Sequence, residues 1–281
     1  MRHEARAGGG ADISEADGRD SRGGSLFEGT AWHYARYRPN YPQVVIDNVV
    51  RHVGLDGTGR LLDLGCGTGQ LTLALAGHVA QAVGVDPEAD MLTEASRQAA
   101  EQGITNVLWQ QGSSSDIRAD LGRFRVVAMG RSFHWMDREQ VLVDLDDIVD
   151  DGGSLIIAND TNLLLPSAPW QQAVQDIQRR FLPTHHPEVP PPLIEDGRTH
   201  EEILADSAFS QISREVYQFR RSWTIERVIG FLYSTSLPLR RLLGDRRGAF
   251  EEAMSAGLLA IDPSGHFVES VALEVLIAMK T

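Results

Sequence analysis

A chain of 281 residues with 42% apolar content fits one large domain, or one domain with a sizeable insertion, and has the ordinary composition of a globular protein. Its 39 acids outnumber 26 bases for a formal charge of −13, and no dense basic run appears, which disfavours DNA and RNA as substrates. The single cysteine, Cys66, excludes an intramolecular disulfide and agrees with a reducing cytosol; no stretch approaches the length of a membrane span, and the N-terminus lacks an apolar export core, so a cytoplasmic protein without a membrane partner is expected.

Residues 1–25 are rich in glycine and charge and poor in large apolar groups, the pattern of a flexible tail outside the fold. Phe27 to Pro42 differs: Trp32, Tyr34, Tyr37 and Tyr41 alternate with His33, Arg36 and Arg38. Aromatics with polar tips suit a surface dry on one side, so this stretch is expected to fold back as a lid over a ligand cleft. Val44 to Gly54 repeats its apolar residues at helical spacing. Leu61–Leu64 is short enough for one buried strand, Gly65, Gly67 and Gly69 follow at alternate positions, and Leu71–Ala76 reads as a helix stopped by Gly77.

Strand, glycine turn and helix make a ligand-binding corner. Glycine admits positive φ and, lacking Cβ, lets a ligand approach the backbone, while the helix start offers N–H groups to an anion. A dinucleotide fingerprint needs its third glycine at position 70, which is Gln70, and a P-loop needs a lysine that is absent. The spacing is D-x-G-x-G-x-G instead. Asp63 for a cation beside backbone N–H groups for an anion suits a ligand carrying both an ammonium and a carboxylate. The next strand, Ala82–Val85, ends in Asp86, an acid placed to accept both ribose hydroxyls of an adenosine.

Further on, Glu88–Gln102 reads as a helix with Met91, Leu92, Ala95 and Ala99 on one face, Asn106–Gln111 as a strand in which Trp109 belongs to the core, and Phe124–Met129 as a fourth strand. Glu139–Asp151 reads as an acidic amphipathic helix whose terminal acids oppose the helix dipole, and Ser154–Ala158 as the fifth strand. A helix over Trp170–Leu182 and a proline-rich loop then break the alternation, as a cap would. His185, His186 and Glu188 in that loop lack a fourth ligand nearby, so no metal is expected. Glu215–Trp223 reads as a sixth strand, Thr224–Ser234 as a helix with Thr224 as N-cap, Asp245–Ala260 as a helix and Ser270–Lys280 as a last strand.

Taken together, Asp63, Gly65, Gly67, Gly69 and Asp86 resemble the S-adenosylmethionine (SAM) site of class I methyltransferases, over about Phe27 to Ala158. The resemblance implies a Rossmann-like α/β fold: a seven-stranded, mostly parallel sheet with helices on both faces, an antiparallel last strand and a cap after the fifth strand. It divides the chain into a tail (1–25), lid and SAM-binding core (26–158), cap (159–213) and completion of the sheet (214–281). In related enzymes a Y-x-x-x-R-P-x-Y-P stretch lies over the methionine end of SAM, matched here by Tyr34, Arg38, Pro39, Tyr41 and Pro42. An acid that receives the adenine amino group usually follows the glycine after the third strand. Ser113 stands there instead, with Asp116 three places later, so Ser113 and Ser114 are the candidates. The implied cofactor-binding set is Tyr34, Arg38, Asp63, Gly65, Cys66, Gly67, Gly69, Asp86, Met91, Ser113, Ser114 and Arg131, with Cys66 as a small side chain that fits the turn rather than a nucleophile.

The small-molecule branch of that family often has H-W-x-D after the fourth strand, matched by His134, Trp135 and Asp137. His134 is either structural or the base that takes a proton from the acceptor, with Tyr34 and His33 as runners-up. The resemblance implies N- or O-methylation of a natural product or metabolite, with carboxyl or C-methylation of a small acid as the alternative. The acidic balance favours a cationic or neutral acceptor over a polyanion. A NAD-dependent oxidoreductase, disfavoured by Gln70 and the short gap to Asp86, and a non-catalytic SAM-binding protein remain the competing classes.

Overall fold

The computed structural model describes residues 27–117, 121–160, 167–182, 197–237 and 239–281. The expected tail and the loop holding His185, His186 and Glu188 lie outside the described residues. The elements run α1 (Ala31–Tyr37), α2 (Gln43–Val53), β1 (Arg60–Leu64), α3 (Gln70–Ala76), β2 (Gln81–Asp86), α4 (Ala89–Glu101), β3 (Val107–Gln111), β4 (Phe124–Gly130), α5 (Arg138–Ile148), β5 (Val149–Asp160), α6 (Pro169–Phe181), α7 (His200–Ala205), β6 (Gln211–Thr224), α8 (Ile225–Leu232), α9 (Leu239–Leu243), α10 (Arg247–Ile261) and β7 (His266–Met279).

Seven strands form one sheet in the order β3-β2-β1-β4-β5-β7-β6. β1 to β5 are parallel, and β7 runs antiparallel to both β5 and β6. Alternation along β1 sends Leu62 and Leu64 to one face, with Phe124, Leu145 and Ile157, and Leu61 to the other, with Ile46, Leu75 and Val126. Asp63 shares the face of Leu61, which is why its carboxylate meets Thr72 of α3. β1 leads to β2 and β3 on one side, and β4 opens the other side. The split leaves a crevice beyond the carboxyl ends of the strands, where an open α/β sheet binds its ligand.

β6 and β7 start at Gln211 and His266 rather than at Glu215 and Ser270, and two further features differ from the sequence reading. The acidic helix ends at Ile148, because Val149 turns extended to pair with Phe124, and a register shift separates that pair from Val126↔Ser154. Asp150 therefore sits at the irregular start of β5, paired with Arg123 at 3.1 Å, rather than against a helix end. The second difference is the cap. Trp170, Val174 and Ile177 of α6 pack with Val228 and Phe231 of α8 and with Phe250, Met254 and Leu258 of α10 in one apolar cluster. The cap thus draws on the segment between β6 and β7 as much as on the segment after β5. Thr224 caps α8 as expected, its hydroxyl accepting the Arg227 N–H at 3.2 Å. Among the described residues no helix is long and apolar enough to cross a membrane.

Candidate functional site

The glycine turn is built for close approach. Gly65 sits at φ +66°, and a Cβ there would lie 2.6 Å from Cβ of Ser132 on the loop after β4. Gly67, at φ +53°, faces the ring of Tyr34, which a Cβ would meet at 3.4 Å. Both residues line a cleft whose walls come from the lid, the turn, the tip of β2, the loop after β3 and the loop after β4. Gly69 is the N-cap of α3 and turns away, against the ring of Trp109. Its N–H is used by the Cys66 carbonyl at 2.9 Å.

Asp86 ends β2 at the cleft wall. Its Oδ2 accepts the Gly67 N–H at 2.8 Å and its Oδ1 accepts the Glu88 N–H at 3.0 Å, so the same carboxylate that faces the cleft also fixes the turn. Burial raises its pKa, against the pull of those two N–H groups. Asp63 lies beneath the turn, 1% exposed, and Oδ2 accepts the Thr72 hydroxyl at 2.5 Å. Burial pushes its pKa up to about 7 against the Thr72 bond, and the charge of Asp86 adds to the rise. Asp63 is not part of the cleft wall, so a cation would meet it only through the turn. Cys66 is buried with its pKa raised well above the usual value by burial and by the two aspartates, and its sulfur faces Gly84; it is a packing group, not a nucleophile.

At the other end of the cleft, Met91, Gly112, Ser113 and Ser114 form the wall. Ser113 starts a short turn, and Asp116 reaches back to accept its N–H at 2.7 Å and its hydroxyl at 3.0 Å. The carboxylate that the sequence lacks at position 113 is thus brought beside it from position 116.

The lid closes the third side. Tyr34 of α1 lines the cleft, with Phe27 edge-on to it at 6.1 Å and edge-on to Trp135 at 6.4 Å. Arg38 stands behind the wall: it lies over the rings of Tyr34 and Phe231 at 4.9 and 4.8 Å and donates to the Ser234 carbonyl at 3.1 Å. Arg131 lines the cleft at φ +60°, the one non-glycine residue with positive φ among those described. Its Nη2 donates to the Pro39 carbonyl at 2.9 Å, and its guanidinium lies over Tyr41 at 4.9 Å, so it ties the loop after β4 to the lid. Nε is 3.4 Å from Asp160 Oδ1, near enough to pair in charge but not aligned to donate.

His134 sits on the short turn 133–135, its ring 5.0 Å from that of Trp135. Trp135 and Met136 reach the cleft; His134 is one layer behind. Burial lowers its pKa to about 4, and the positive groups His200, Arg38 and Arg138 add to the shift. It is therefore a neutral imidazole at physiological pH, able to accept a proton but a weaker base than a free histidine. His33 is lowered to about 4 by burial as well, and its ring is enclosed by Trp32, Tyr37 and Tyr233, away from the cleft.

The wall also holds Trp135 of the H-W-x-D match, together with residues the sequence reading passed over: Phe27, Pro87, Glu88, Gly112, Ser132 and Met136. Glu88 was the most accessible to inference, since it stands two places after Asp86 at a helix start. The groups present fit a sulfonium nucleoside: acids around Asp86, an aromatic lid over a glycine turn, and a buried Glu88 Oε1 with no hydrogen-bond partner.

Comparison with known proteins agrees with this geometry. Residues 61–153 match the family described as Methyltransferase domain. An uncharacterised methyltransferase of Mycobacterium tuberculosis is 31% identical over 122 residues, 43% of this chain and 46% of that protein. A ubiquinone biosynthesis O-methyltransferase of Azorhizobium caulinodans is 36% identical over 123 residues, 41% of this chain and 48% of that protein. The chain spans about half the length of the curated relatives it matches. Among solved structures, the YcgJ protein of Bacillus subtilis superposes with a TM-score of 0.52 at 16% identity, covering 85% of this chain and 99% of that one, which speaks for the shared fold.

Proposed function

We propose that this chain, a class I SAM-dependent methyltransferase by its fold and by the methyltransferase domain at residues 61–153, transfers the methyl group of SAM to an oxygen or nitrogen of a small organic molecule. The observation that carries this reading is the wall made by Tyr34, Trp135 and Met136, an apolar and aromatic surface facing the Gly65–Gly67 turn across one cleft. SAM, when bound, supplies a methyl group on a sulfonium. The chain's own task is to hold an acceptor atom in line with it and keep water out, an orientation effect worth up to about 10 kcal/mol of barrier. Asp86 and the turn would hold the nucleoside and amino-acid halves, Met91 and Ser113–Ser114 the base, and the lid the acceptor. A ubiquinone-pathway relative that methylates oxygen is consistent with a hydroxyl acceptor.

A second reading is favoured by one observation. The overall charge is acidic, yet the lid end of the cleft is lined by Arg131, whose buried Nε donates to no group, and Arg38 stands behind it with a carbonyl and two rings as its partners. That local charge suits a small acid, whose carboxylate would be either anchor or acceptor. Methyl transfer from labelled SAM to a panel of phenols, amines and small carboxylic acids tests both readings. Labelled product from phenols or amines supports the first and from acids alone the second; SAM binding with no product from any acceptor would leave a binding protein.

If His134 takes the proton of a hydroxyl or amine acceptor, His134→Ala lowers kcat about a hundredfold and leaves SAM affinity within about twofold. The neutral form is the active one, so kcat should be flat above about pH 6 and fall as pH drops through about 4, the value to which His134 is shifted. The fold responds in the same direction: a histidine depressed from its unfolded value contributes stability that is full above about 6.5 and lost as pH falls toward about 4. A thermal melt at each pH separates the two effects. Near-normal turnover by the alanine variant rejects the role.

A further inference from the structure

Glu88 stands where the lid meets the cleft. It holds the N-cap position of α4, yet its side chain caps nothing. Its carboxylate instead lies towards the N–H of Phe27 at the start of the lid, while Oε1 is shielded from solvent and has no hydrogen-bond partner. A buried acceptor left unpaired is unfavourable, so a donor is to be expected from whatever fills the space in front of it. Glu88 lines the cleft beside Asp86 and Pro87. Asp86 already accepts an N–H on each oxygen. A nucleoside seated at the tip of β2 brings two ribose hydroxyls to these two carboxylates.

We propose that Glu88 is a latch between lid and cofactor: it holds Phe27 with its carboxylate and receives a ribose hydroxyl on Oε1. Phe27 packs edge-on against Tyr34 and Trp135. Filling Oε1 therefore fixes the aromatic wall on which the acceptor rests, so that the wall is set only when the nucleoside is in place. Burial, followed by repulsion from Asp86, pushes the carboxyl up to about 7, and a hydroxyl donor favours the ionised form that accepts it. The latch rests on the reading of the cleft as a SAM site.

The full chain is titrated calorimetrically with S-adenosylhomocysteine, which carries the nucleoside without the sulfonium charge, and with its 2′-deoxy and 3′-deoxy analogues. One deoxy analogue should bind the wild type about tenfold more weakly than the parent compound. Glu88→Ala should lose about tenfold for the parent compound and nothing further for that analogue. Glu88→Gln, which keeps an acceptor oxygen, should recover most of the affinity. In hydrogen exchange, the amides of residues 27–37 should slow on ligand binding in the wild type and not in Glu88→Ala.

Losses from the deoxy analogue and from Glu88→Ala that simply multiply would overturn the latch, as would a glutamine variant as weak as alanine or lid protection that survives the alanine change. A wild type that binds no S-adenosylhomocysteine would remove the SAM site itself and the latch with it. A wild type that binds the compound while the Glu88 variants match it would remove the latch alone. Because the side chain caps nothing, the alanine variant should melt with the wild type.

Discussion

Gly65→Val is expected to weaken SAM binding by at least roughly 30-fold while leaving the sheet folded. Two effects act at the same atom. Gly65 sits at φ +66°, where a left-handed backbone costs an L-residue about 1–2 kcal/mol, more for a branched one. Its new Cβ would also fall 2.6 Å from Cβ of Ser132. Ser132 is buried and donates from Oγ to the Leu64 carbonyl at 2.6 Å, so it can yield only by breaking that bond and moving the loop after β4. Overpacking of that kind adds about 1–3 kcal/mol. If the strain is relieved by displacing the cleft wall, affinity falls roughly 30-fold to several thousandfold, at tenfold for each 1.4 kcal/mol. Gly67→Ala should be milder, because its Cβ would meet the Tyr34 ring at 3.4 Å and that ring can shift. Gly77→Ala is the control, with a negative φ and nothing within 4 Å. Calorimetry with S-adenosylhomocysteine, run beside circular dichroism, reads the result; wild-type affinity in a folded Gly65→Val protein would mean that the ligand sits elsewhere.

The contrast between Gly65 and Glu88 marks what a sequence discloses about such a site. The turn is local: strand, alternate glycines and the acid at the end of β2 lie within the 27 residues from Arg60 to Asp86, and each carries its own conformational demand. Helices with one apolar face were equally readable, and the observed bounds of α2, α4 and α6 fall within a residue of those expected. What the chain does not announce is which apolar face meets which. Trp170 and Phe250 are 80 residues apart and share one cluster, so the joint cap of α6, α8 and α10 emerges only in three dimensions. Side chains that bridge distant loops are hidden for the same reason. Arg38, a candidate cofactor contact by its motif, donates to the Ser234 carbonyl, 196 residues on. Asp116 brings a carboxylate beside Ser113, through a turn whose geometry three serines in a row did not reveal. Net charge says least about the cleft: a chain of −13 places two partly buried arginines there, Arg131 in the wall at the lid end and Arg38 behind it.

One of those arginines supports the second large prediction, that Asp160→Ala destabilises the fold by about 3–5 kcal/mol. Asp160 ends β5 with its side chain 4% exposed, between Arg131 at 3.4 Å and Arg221 at 2.8 Å. Arg221 also faces Glu269 at 3.3 Å, and Glu269 accepts the Trp223 indole N–H at 2.9 Å. The network balances two guanidinium groups against two carboxylates in the space between β5, β7 and the cap. Removing Asp160 leaves two buried cations facing one acid, and an uncompensated buried charge is far more costly than the intact pair is favourable. For a chain of this size the loss should lower the melting temperature by roughly 5–9 °C. Asp56→Ala, which breaks an exposed pair with Arg125, should move it little. Because Arg131 also holds the Pro39 carbonyl, the Asp160 variant should loosen the lid before the sheet melts: proteolysis within residues 27–42 should quicken at temperatures where circular dichroism is still native. Arg131→Met tests the balance directly. Removing one cation from the Asp160→Ala background should restore part of the lost stability, whereas the same change in the wild type should reduce it. A double variant no more stable than Asp160→Ala would show that shape, not charge, holds this corner together.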